Sequence, residues 1–329
     1  MFEIIKYSES RMAEWNDFVK KAKNGSFLLD RRYMDYHADR FSDFSLMFYL
    51  KGRLYALLPA HVTGDTLYSH QGLTYGGLLL DCSAKTAEVC QLFGQLDAFL
   101  SSKGIGKVLY KPSPWIYASQ GAEEDLYAIV KVCHATLVGR DVATVIFLHD
   151  RIPFSELRRR CMRKGQRQDI TVAESEDYAA FWKILDDNLE AKYGVKPVHS
   201  CAEIQLLASR FPRNIKLYMA CLGEQPLAGV VLFENANMVH VQYISATPEG
   251  KRLGALDVVF GELITHRYAN LDYFDFGKST ERHGEYLNEP LIFQKEGFGG
   301  RAVCYDTYVW TVGAGLVAKN KTMTIKEND

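Results

Sequence analysis

The sequence has no long apolar run, no signal-type N-terminus and no paired cysteines, and each absence excludes a class of protein. The longest apolar stretch, around Leu54–Ala60, is far too short to cross a bilayer. The N-terminus lacks a basic region followed by an apolar stretch, so we expect no signal peptide. The seven cysteines form no C-x-x-C pair, which argues against a zinc site and a disulfide framework. We therefore expect a reduced cytoplasmic protein without a transmembrane segment.

Neither sign of charge is in excess. The 39 lysines and arginines are matched by 40 aspartates and glutamates, which gives a net charge of -1. A dedicated polyanion binder is usually basic overall, so we expect no DNA partner, and any RNA contact must come from a local patch. No constellation of side chains has metal-ligand spacing, and we expect no metal. The length of 329 residues allows two domains of ordinary size.

One order of predicted elements occurs twice along the chain. In each half, two opening helices precede a hairpin, a further strand, a loop, an apolar-periodic helix and a closing strand. The predicted strands are 45–50, 53–62, 66–69 and 108–111 in the first half, and 215–222, 226–233, 238–245 and 271–276 in the second. The predicted helices are 10–23, 31–39 and 84–103 in the first half, and 178–193, 202–210 and 255–268 in the second.

This order predicts an α/β fold, in the α+β sense of a mixed sheet covered on both faces. Its repetition predicts tandem duplicated domains. We place the first domain at 1–150, the second at 151–315 and a polar tail at 316–329.

The segment between the third strand and the helix of the second half suits a phosphate ligand. Glycines recur at Gly250 and Gly254, and a helix is predicted to open at once. A helix start offers unpaired N–H groups and partial positive charge, and glycine lets the backbone approach a ligand closely. Lys251 and Arg252 add cationic reach. An ordinary glycine turn between a strand and a helix explains the same residues.

Two motifs resemble the FemAB-like branch of the GNAT (acyl-CoA N-acyltransferase) superfamily. The run from Lys251 to Leu256 loosely matches the Q/R-x-x-G-x-G/A loop, and LIFQKEGFGG matches a later family segment. The resemblance implies tandem GNAT-like domains, with acyl-CoA (acetyl-CoA) as the donor substrate held by the second half. It implies a donor pyrophosphate site made by Gly250, Lys251, Arg252, Leu253, Gly254 and Ala255.

Four residues of the second half are candidates for catalysis. Lys295 matches the K-x-x-F-G setting of a lysine implicated in the aminoacyl ligases that the sequence resembles. His240 lies on a predicted strand and could serve as a base, although a strand histidine is often structural. Asp275 ends the next predicted strand and Glu281 follows six residues later, where acids often face a site. Solvated loop acids are the alternative for both.

Two further groups are candidates for binding the acceptor. The basic stretch after residue 150 places Arg159, Arg160 and Arg163 on one helical face with Lys164 and Arg167. Arginine forks suit phosphates, although a solvated helix face has the same pattern. In the first half, the glycine-rich run SHQGLTYGGLLLD suggests an acceptor pocket, and the alternative is a bulged strand. Its candidates are His70, Gln71, Thr74 and Tyr75.

These observations predict an N-acyltransferase that moves an acyl or aminoacyl group onto an amine of a cell-envelope or polysaccharide precursor. A phosphorylated sugar or a lipid-linked precursor would fit as the small-molecule acceptor. One alternative is a peptidoglycan-type ligase that uses aminoacyl-tRNA, with tRNA as a partner. Another is a non-catalytic binding module with a decayed donor site, because Phe293 stands where many acetyltransferases carry a tyrosine.

Overall fold

The computed structural model describes residues 1–314, and the chain divides into two compact units. Of the described residues, the N-terminal unit comprises 1–140 together with 305–314, and the central unit comprises 141–304. The expected domains, 1–150 and 151–315, place the boundary ten residues later and give the last strand to the second domain. No local sequence signal marks the division, because it falls inside two regular strands, Thr136–Phe147 and Arg301–Thr311. The expected tail at 316–329 lies outside the described residues.

Residues 1–314 contain sixteen strands, several of which follow one another without an intervening helix. They are β1 (Phe2–Lys6), β2 (Leu46–Leu50), β3 (Arg53–Leu58), β4 (His61–Thr63), β5 (Thr66–Tyr68), β6 (Leu79–Leu80), β7 (Lys107–Tyr110), β8 (Thr136–Phe147), β9 (Thr171–Ser175), β10 (Ile215–Leu222), β11 (Gln225–Glu234), β12 (Met238–Ala246), β13 (Tyr273–Lys278), β14 (Thr280–Glu281), β15 (Tyr286–Leu287) and β16 (Arg301–Thr311). The predicted strand 53–62 is divided into β3 and β4. Pro59 lies at the break, where it has no N–H to donate to a ladder.

The α-helices include most of the helices that the apolar periodicity predicts, but the predicted helix 31–39 is α-helical only over Arg31–Met34 and continues as a 3₁₀ helix, Asp35–Arg40. They are α1 (Met12–Lys21), α2 (Arg31–Met34), α3 (Thr86–Ser102), α4 (Glu124–Cys133), α5 (Glu156–Gln166), α6 (Tyr178–Tyr193), α7 (Cys201–Arg210), α8 (Pro248–Leu253), α9 (Ala255–Glu262) and α10 (Glu289–Glu296). A π-helical turn, Leu263–Arg267, extends α9. The segment 247–254, predicted to be a loop, contains α8 because Thr247 caps it and Pro248 is its first residue.

The N-terminal unit contains two groups of paired strands. One sheet has the order β1-β2-β3-β6 and is antiparallel throughout. In the other group, β5 pairs antiparallel with β4 and parallel with β7, which pairs with the end of β16. Buried side chains from α3, such as Leu92 and Phe93, pack in one core with Phe48 and Trp310. This core closes the unit without using the central residues of the chain.

The central unit is a mixed sheet with the order β8-β13-β12-β11-β10-β9. Only β12 and β13 pair in parallel, and the other neighbours are antiparallel. The apolar face of α9 packs with Val239 and Phe274 in a buried cluster on one face of the sheet. On the other face, Phe181 of α6 lies so close to Gly229 that a Cβ there would be 2.6 Å from its ring. The expectation of a mixed sheet in an α/β fold is confirmed.

The two parallel strands of the central unit separate after a short pairing. Met238–His240 pairs with Tyr273–Asp275, and the pairing ends there. In the β11–β12 ladder, Val231 pairs with Tyr243 and Leu232 with Val241, so one residue of β12 is extra. A bulge of this kind bends a strand away from its neighbour. The bend opens a gap between the C-terminal ends of β12 and β13, where ligands commonly bind in α/β sheets.

Candidate functional site

A cavity of about 490 Å³ lies in the central unit where β12 and β13 separate. Most of its lining is apolar, and the polar groups are few. The apolar lining comprises Leu185, Leu189, Ala191, Val241, Ile244, Ala246, Leu256, Phe260, Phe276, Leu291 and Phe298. The polar lining comprises Asn188, Lys192, Ser245, Lys251, Gln294 and Lys295. An apolar pocket with a few convergent polar groups is the usual form of a small-molecule site.

Lys295 is the buried cation of this cavity, with 8% of its surface exposed. Its Nζ donates hydrogen bonds to the carbonyl oxygens of Gly277 at 3.0 Å and Lys278 at 2.8 Å. Burial lowers the pKa of Lys295 to about 8, and the charge of Asp275 opposes that shift. An ammonium has three N–H donors, so the two carbonyls leave one for a ligand in the cavity.

His240 and Asp275 form a buried pair next to Lys295. The Nδ1 atom of His240 lies 2.7 Å from Oδ2 of Asp275. The other carboxylate oxygen accepts a hydrogen bond of 2.7 Å from the N–H of Gly277, whose φ is +69°. One chain of hydrogen bonds therefore runs from His240 through Asp275 and Gly277 to Lys295. When Nδ1 of His240 carries the proton, Nε2 is left as a base.

Three of the four catalytic candidates thus meet, and Glu281 does not join them. Glu281 is exposed on β14, and its carboxylate accepts a hydrogen bond of 3.2 Å from the side chain of Asn288. Asn288 also caps α10. This contact ties the β14–β15 hairpin to the start of α10, which is a structural use of the carboxylate.

The six donor-site candidates divide into four groups. Lys251 lines the cavity, and its Nζ donates a hydrogen bond to Oδ1 of Asn188 on α6. Arg252 is exposed and pairs with Glu249, whereas Leu253 and Ala255 are buried in the core.

Gly250 and Gly254 have a packing explanation. A Cβ on Gly250 would lie 2.2 Å from the carbonyl oxygen of Leu227. Gly254 has φ of +82°, and a Cβ on it would lie 2.6 Å from the carbonyl oxygen of Cys161. The N–H of Gly254 is already bonded to the carbonyl of Gly250. Both glycines therefore let neighbouring backbone approach, and at Gly254 the N–H is used inside the protein.

The predicted basic face on α5 exists, and its members have different surroundings. Arg159 forms an ion pair of 2.8 Å with Glu156, which also pairs with Arg163 at 2.7 Å. Arg160 and Arg163 line an open cleft together with Lys164. Arg159 is not among the residues that line this cleft.

The acceptor candidates of the N-terminal unit are not equivalent either. Gln71 and Thr74 are exposed, whereas His70 and Tyr75 are buried. The Tyr75 hydroxyl donates a hydrogen bond of 3.0 Å to the Ser26 hydroxyl, which is a core contact. The ring of His70 lies 5.6 Å from the ring of His61, and φ of His70 is +63°.

The sequence reasoning missed the wall of the cavity that α6 and β13 supply. Leu185, Leu189 and Lys192 recur at helical spacing on α6, and Asn188 lies among them. Asparagine is unfavourable inside a helix, so its presence there could have marked a special role. Its Nδ2 donates to the Ser245 hydroxyl at 2.8 Å, which ties α6 to β12.

Across residues 1–314, no group of three or more histidine, cysteine, aspartate and glutamate side chains is arranged to hold a metal ion. Within that same part of the chain, no helix combines the length and the apolar character that crossing a membrane requires.

One comparison with known proteins identifies a family for part of the chain. Residues 156–285 match the family model described as the acetyltransferase (GNAT) domain. This stretch contains α5, the sheet from β9 to β13 and the helix α9. A comparison with curated proteins by sequence found no match.

Solved structures resemble the chain over nearly its whole length. The crystal structure of FemX is 9% identical with a TM-score of 0.66, over 96% of this chain and 99% of that one. The C-terminal domain of a protein designated lysylphosphatidylglycerol synthetase, from Agrobacterium fabrum, is 14% identical with a TM-score of 0.57, over 96% of both chains. A tandem GNAT protein from the clavulanic acid biosynthesis pathway is 8% identical with a TM-score of 0.50, over 95% of this chain and 99% of that one.

At these identities the structural likeness concerns the fold. The family match concerns the domain that carries most of the cavity, and it confirms the expectation of an acyltransferase. Residues 156–285 therefore form a GNAT domain, and the chain shares its fold with FemX and with a tandem GNAT protein, as the resemblance to the FemAB-like branch predicted.

Proposed function

We propose that this chain is an N-acyltransferase that binds its acyl donor in the cavity of the central unit. The observation that carries the proposal is Lys295, a buried ammonium with one N–H left for a ligand, on the wall of an apolar cavity. The cavity opens where two parallel strands separate, within elements that the GNAT domain supplies. This combination gives an acyl group an apolar surface and gives its carbonyl a charged donor.

The proposed reaction is aminolysis of a thioester. The nitrogen of a neutral amine forms a bond to the acyl carbon, and negative charge develops on the carbonyl oxygen. The C–S bond then breaks, the thiolate departs and takes a proton, and the amine nitrogen loses one. Lys295 would stabilise the developing negative charge through its remaining N–H, which is the largest type of contribution in acyl transfer. His240 and Asp275 act as positioning residues, because they hold Gly277 and hence Lys295.

The strand geometry favours an extended donor that carries amide groups. Beyond His240, β12 no longer pairs with β13, so its edge there can pair with a ligand. Adding an extended segment to an open strand edge is a common way of binding. The pantetheine arm of an acyl-CoA is such a segment, and Lys251 at the cavity supplies a cation for its phosphates. Acyl-CoA as donor and a cytoplasmic location therefore belong to this proposal.

The acceptor that we propose is an amine of a cell-envelope or polysaccharide precursor, either a phosphorylated sugar or a lipid-linked molecule. One solved relative is designated a lysylphosphatidylglycerol synthetase, a name that refers to an aminoacylated lipid. The exposed acceptor candidates, Gln71 and Thr74 of the N-terminal unit, have side chains accessible to such a substrate.

A second candidate function has aminoacyl-tRNA as the donor. The observation that favours it is the basic helix α5, where Arg160, Arg163 and Lys164 line an open cleft. The apolar cavity would then receive the aminoacyl group, and the cations of α5 would contact phosphates of the RNA. Binding of this kind weakens steeply as salt is added.

The test is a binding measurement on matched variants. Thermal unfolding is recorded with and without excess acetyl-CoA, and a ligand at about 100 times its Kd adds roughly 2.7 kcal/mol of stability. Lys251→Ala should weaken acetyl-CoA binding by roughly 10- to 100-fold, because a charged hydrogen bond to phosphate contributes about 1.5–3 kcal/mol. Arg252→Ala is the control, because Arg252 is next in the chain but does not line the cavity. A well-folded protein that binds no acyl-CoA and instead binds aminoacyl-tRNA would replace the first candidate with the second.

A further inference from the structure

The cleft on α5 is bordered almost entirely by cations. Its volume is about 620 Å³, and it is distinct from the acyl cavity because the two share no lining residue. No acidic side chain lines it. Its lining comprises Arg160, Cys161, Arg163, Lys164, Arg167 and Gln168.

Three of these cations have no acidic partner. Arg163 is neutralised by Glu156, which lies outside the cleft. Lys164 donates a hydrogen bond of 2.7 Å to the carbonyl oxygen of Arg252, which leaves its charge in place. Among residues 1–314, the side chains of Arg160 and Arg167 have neither an ion pair nor a hydrogen bond. The cleft therefore concentrates about three positive charges on a protein whose net charge is -1.

The helix that carries these cations is held rigidly from behind. Gly165 is buried, and a Cβ on it would lie 2.5 Å from Val258 and 3.2 Å from the carbonyl oxygen of Leu253. A Cβ on Gly254 would likewise lie 2.6 Å from the carbonyl oxygen of Cys161. Arg158 reaches inward to the buried Asp257 at 2.8 Å. These contacts fix α5 on α8 and α9, so its outward side chains start from a defined backbone.

We propose that this cleft binds a ligand with two adjacent phosphate groups, that is, a pyrophosphate. Inorganic pyrophosphate carries more negative charge near neutral pH than a single phosphate, which carries about 1.5 to 2, so it matches three cations better. Arg160 and Arg167 are seven residues apart, about 10.5 Å along the helix axis, which is wider than one phosphate. Guanidinium forks pair with phosphate oxygens in bidentate fashion, and long side chains let both arginines converge on a ligand of this size.

As the occupant of this cleft, a discrete ligand is favoured over the aminoacyl-tRNA of the second candidate function. Proteins that bind single strands combine a positive groove with aromatic side chains on which bases stack. The lining of this cleft contains no aromatic residue. Its recognition chemistry is therefore that of phosphate groups alone, whether they belong to a nucleotide, a sugar carrier or a free pyrophosphate.

The proposal does not depend on acyl transfer, and a binding experiment tests it directly. The full chain is titrated calorimetrically with inorganic pyrophosphate and, separately, with inorganic phosphate at low ionic strength. The double variant Arg160→Gln with Arg167→Gln should weaken pyrophosphate binding at least tenfold. Arg159→Gln lies on the same helix but outside the cleft, and it should change the affinity less than twofold. Inorganic phosphate should bind at least tenfold more weakly than pyrophosphate.

Several results would overturn the proposal. They are the absence of pyrophosphate binding by the unmodified protein, and equal effects of the double variant and Arg159→Gln, which would indicate a diffuse charge effect. A third result would be that the protein does not bind pyrophosphate but binds total tRNA, or vesicles of phosphatidylglycerol and phosphatidylcholine, and that this binding requires Arg160 and Arg167. All the substituted side chains are exposed, so an unchanged unfolding temperature is expected to accompany each variant.

Discussion

Lys295 and Gly277 are joined by a hydrogen bond of 3.0 Å from the lysine Nζ to the glycine carbonyl oxygen. Gly277 has a positive φ, and its own N–H is held by the carboxylate of Asp275. The position of the ammonium is therefore set by a backbone turn rather than by side-chain packing alone. A change at either the turn or the carboxylate should reach the reaction through Lys295.

We expect Lys295→Met to reduce kcat by about 10²–10³, because removing one preorganised donor to an oxyanion has that effect in acyl transfer. Lys278→Met is the matched control, since Lys278 is exposed and pairs with Asp141. Its kcat should remain within about twofold of the unmodified protein. Steady-state kinetics with a saturating donor decide the matter, and similar losses in both variants would contradict the proposed role of Lys295.

We expect activity to fall as the pH rises through about 8, because Lys295 must be charged to stabilise an oxyanion and its pKa is lowered to about 8. A weakly basic amine surrogate keeps the ionisation of the acceptor out of the profile. Since the charge of Asp275 raises the pKa of Lys295, Asp275→Asn should move the fall to lower pH. A profile that rises through pH 8 would instead make Lys295 a base.

We expect Gly254→Ala to destabilise the protein by about 2 kcal/mol or more. The new Cβ would lie 2.6 Å from the carbonyl oxygen of Cys161, on a residue whose φ is +82°. Gly223→Ala is the control, because φ of Gly223 is +57° but no atom lies within 4 Å of an added Cβ. It should lose only about 1 kcal/mol. Urea unfolding measures both, and equal losses would show that steric crowding at Gly254 is relieved elsewhere.

We expect acid to destabilise the N-terminal unit through His70. Burial and the nearby His61 and His37 lower the pKa of His70 to about 3, with Asp43 opposing this shift and Arg31 adding to it. The unfolded chain binds a proton near pH 6.5 and the folded one near 3, so stability is lost as pH falls from 6.5 towards 3.

The size of this effect is about 2 kcal/mol at pH 5. His70→Asn should remove it, since asparagine tolerates the positive φ at this position. The comparison is the difference in unfolding free energy between pH 7 and pH 5 for the two proteins. The pKa of Asp125 is raised to about 7, so this group makes the fold more stable as the pH falls. Its contribution is the same in both proteins and cancels from the comparison. Equal differences would mean that His70 is protonated in the folded state.

Elements with clear end signals were predictable from the sequence. Helix α6 spans Tyr178–Tyr193 as expected, because Asp177 caps its start and Gly194 ends it with a φ of +62°. Strand β10 likewise matches its predicted range and ends at the turn containing Gly223. Local chemistry determines these boundaries, so a single sequence is enough to locate them.

The arrangement of the site depends on register, which the sequence does not display. His240 and Asp275 are 35 residues apart, and they meet because β12 and β13 pair in parallel over three residues. Each was a candidate on its own, but their hydrogen bond and its link to Lys295 required the fold. The glycines at Gly250 and Gly254 suggested a phosphate loop, whereas their immediate cause is contact with neighbouring backbone. Pattern alone does not separate these two uses of glycine.

The early end of the β12–β13 pairing also affects how the amide protons of β12 exchange with solvent. Beyond His240 this strand keeps its partner β11 on one side only. Successive amides of a strand point alternately to its two neighbours, so in this stretch every second amide faces the gap. Protection should therefore alternate along the C-terminal part of β12, whereas the part before His240 is protected on both sides. A bound ligand that occupies the gap would act as the missing strand and make the protection continuous.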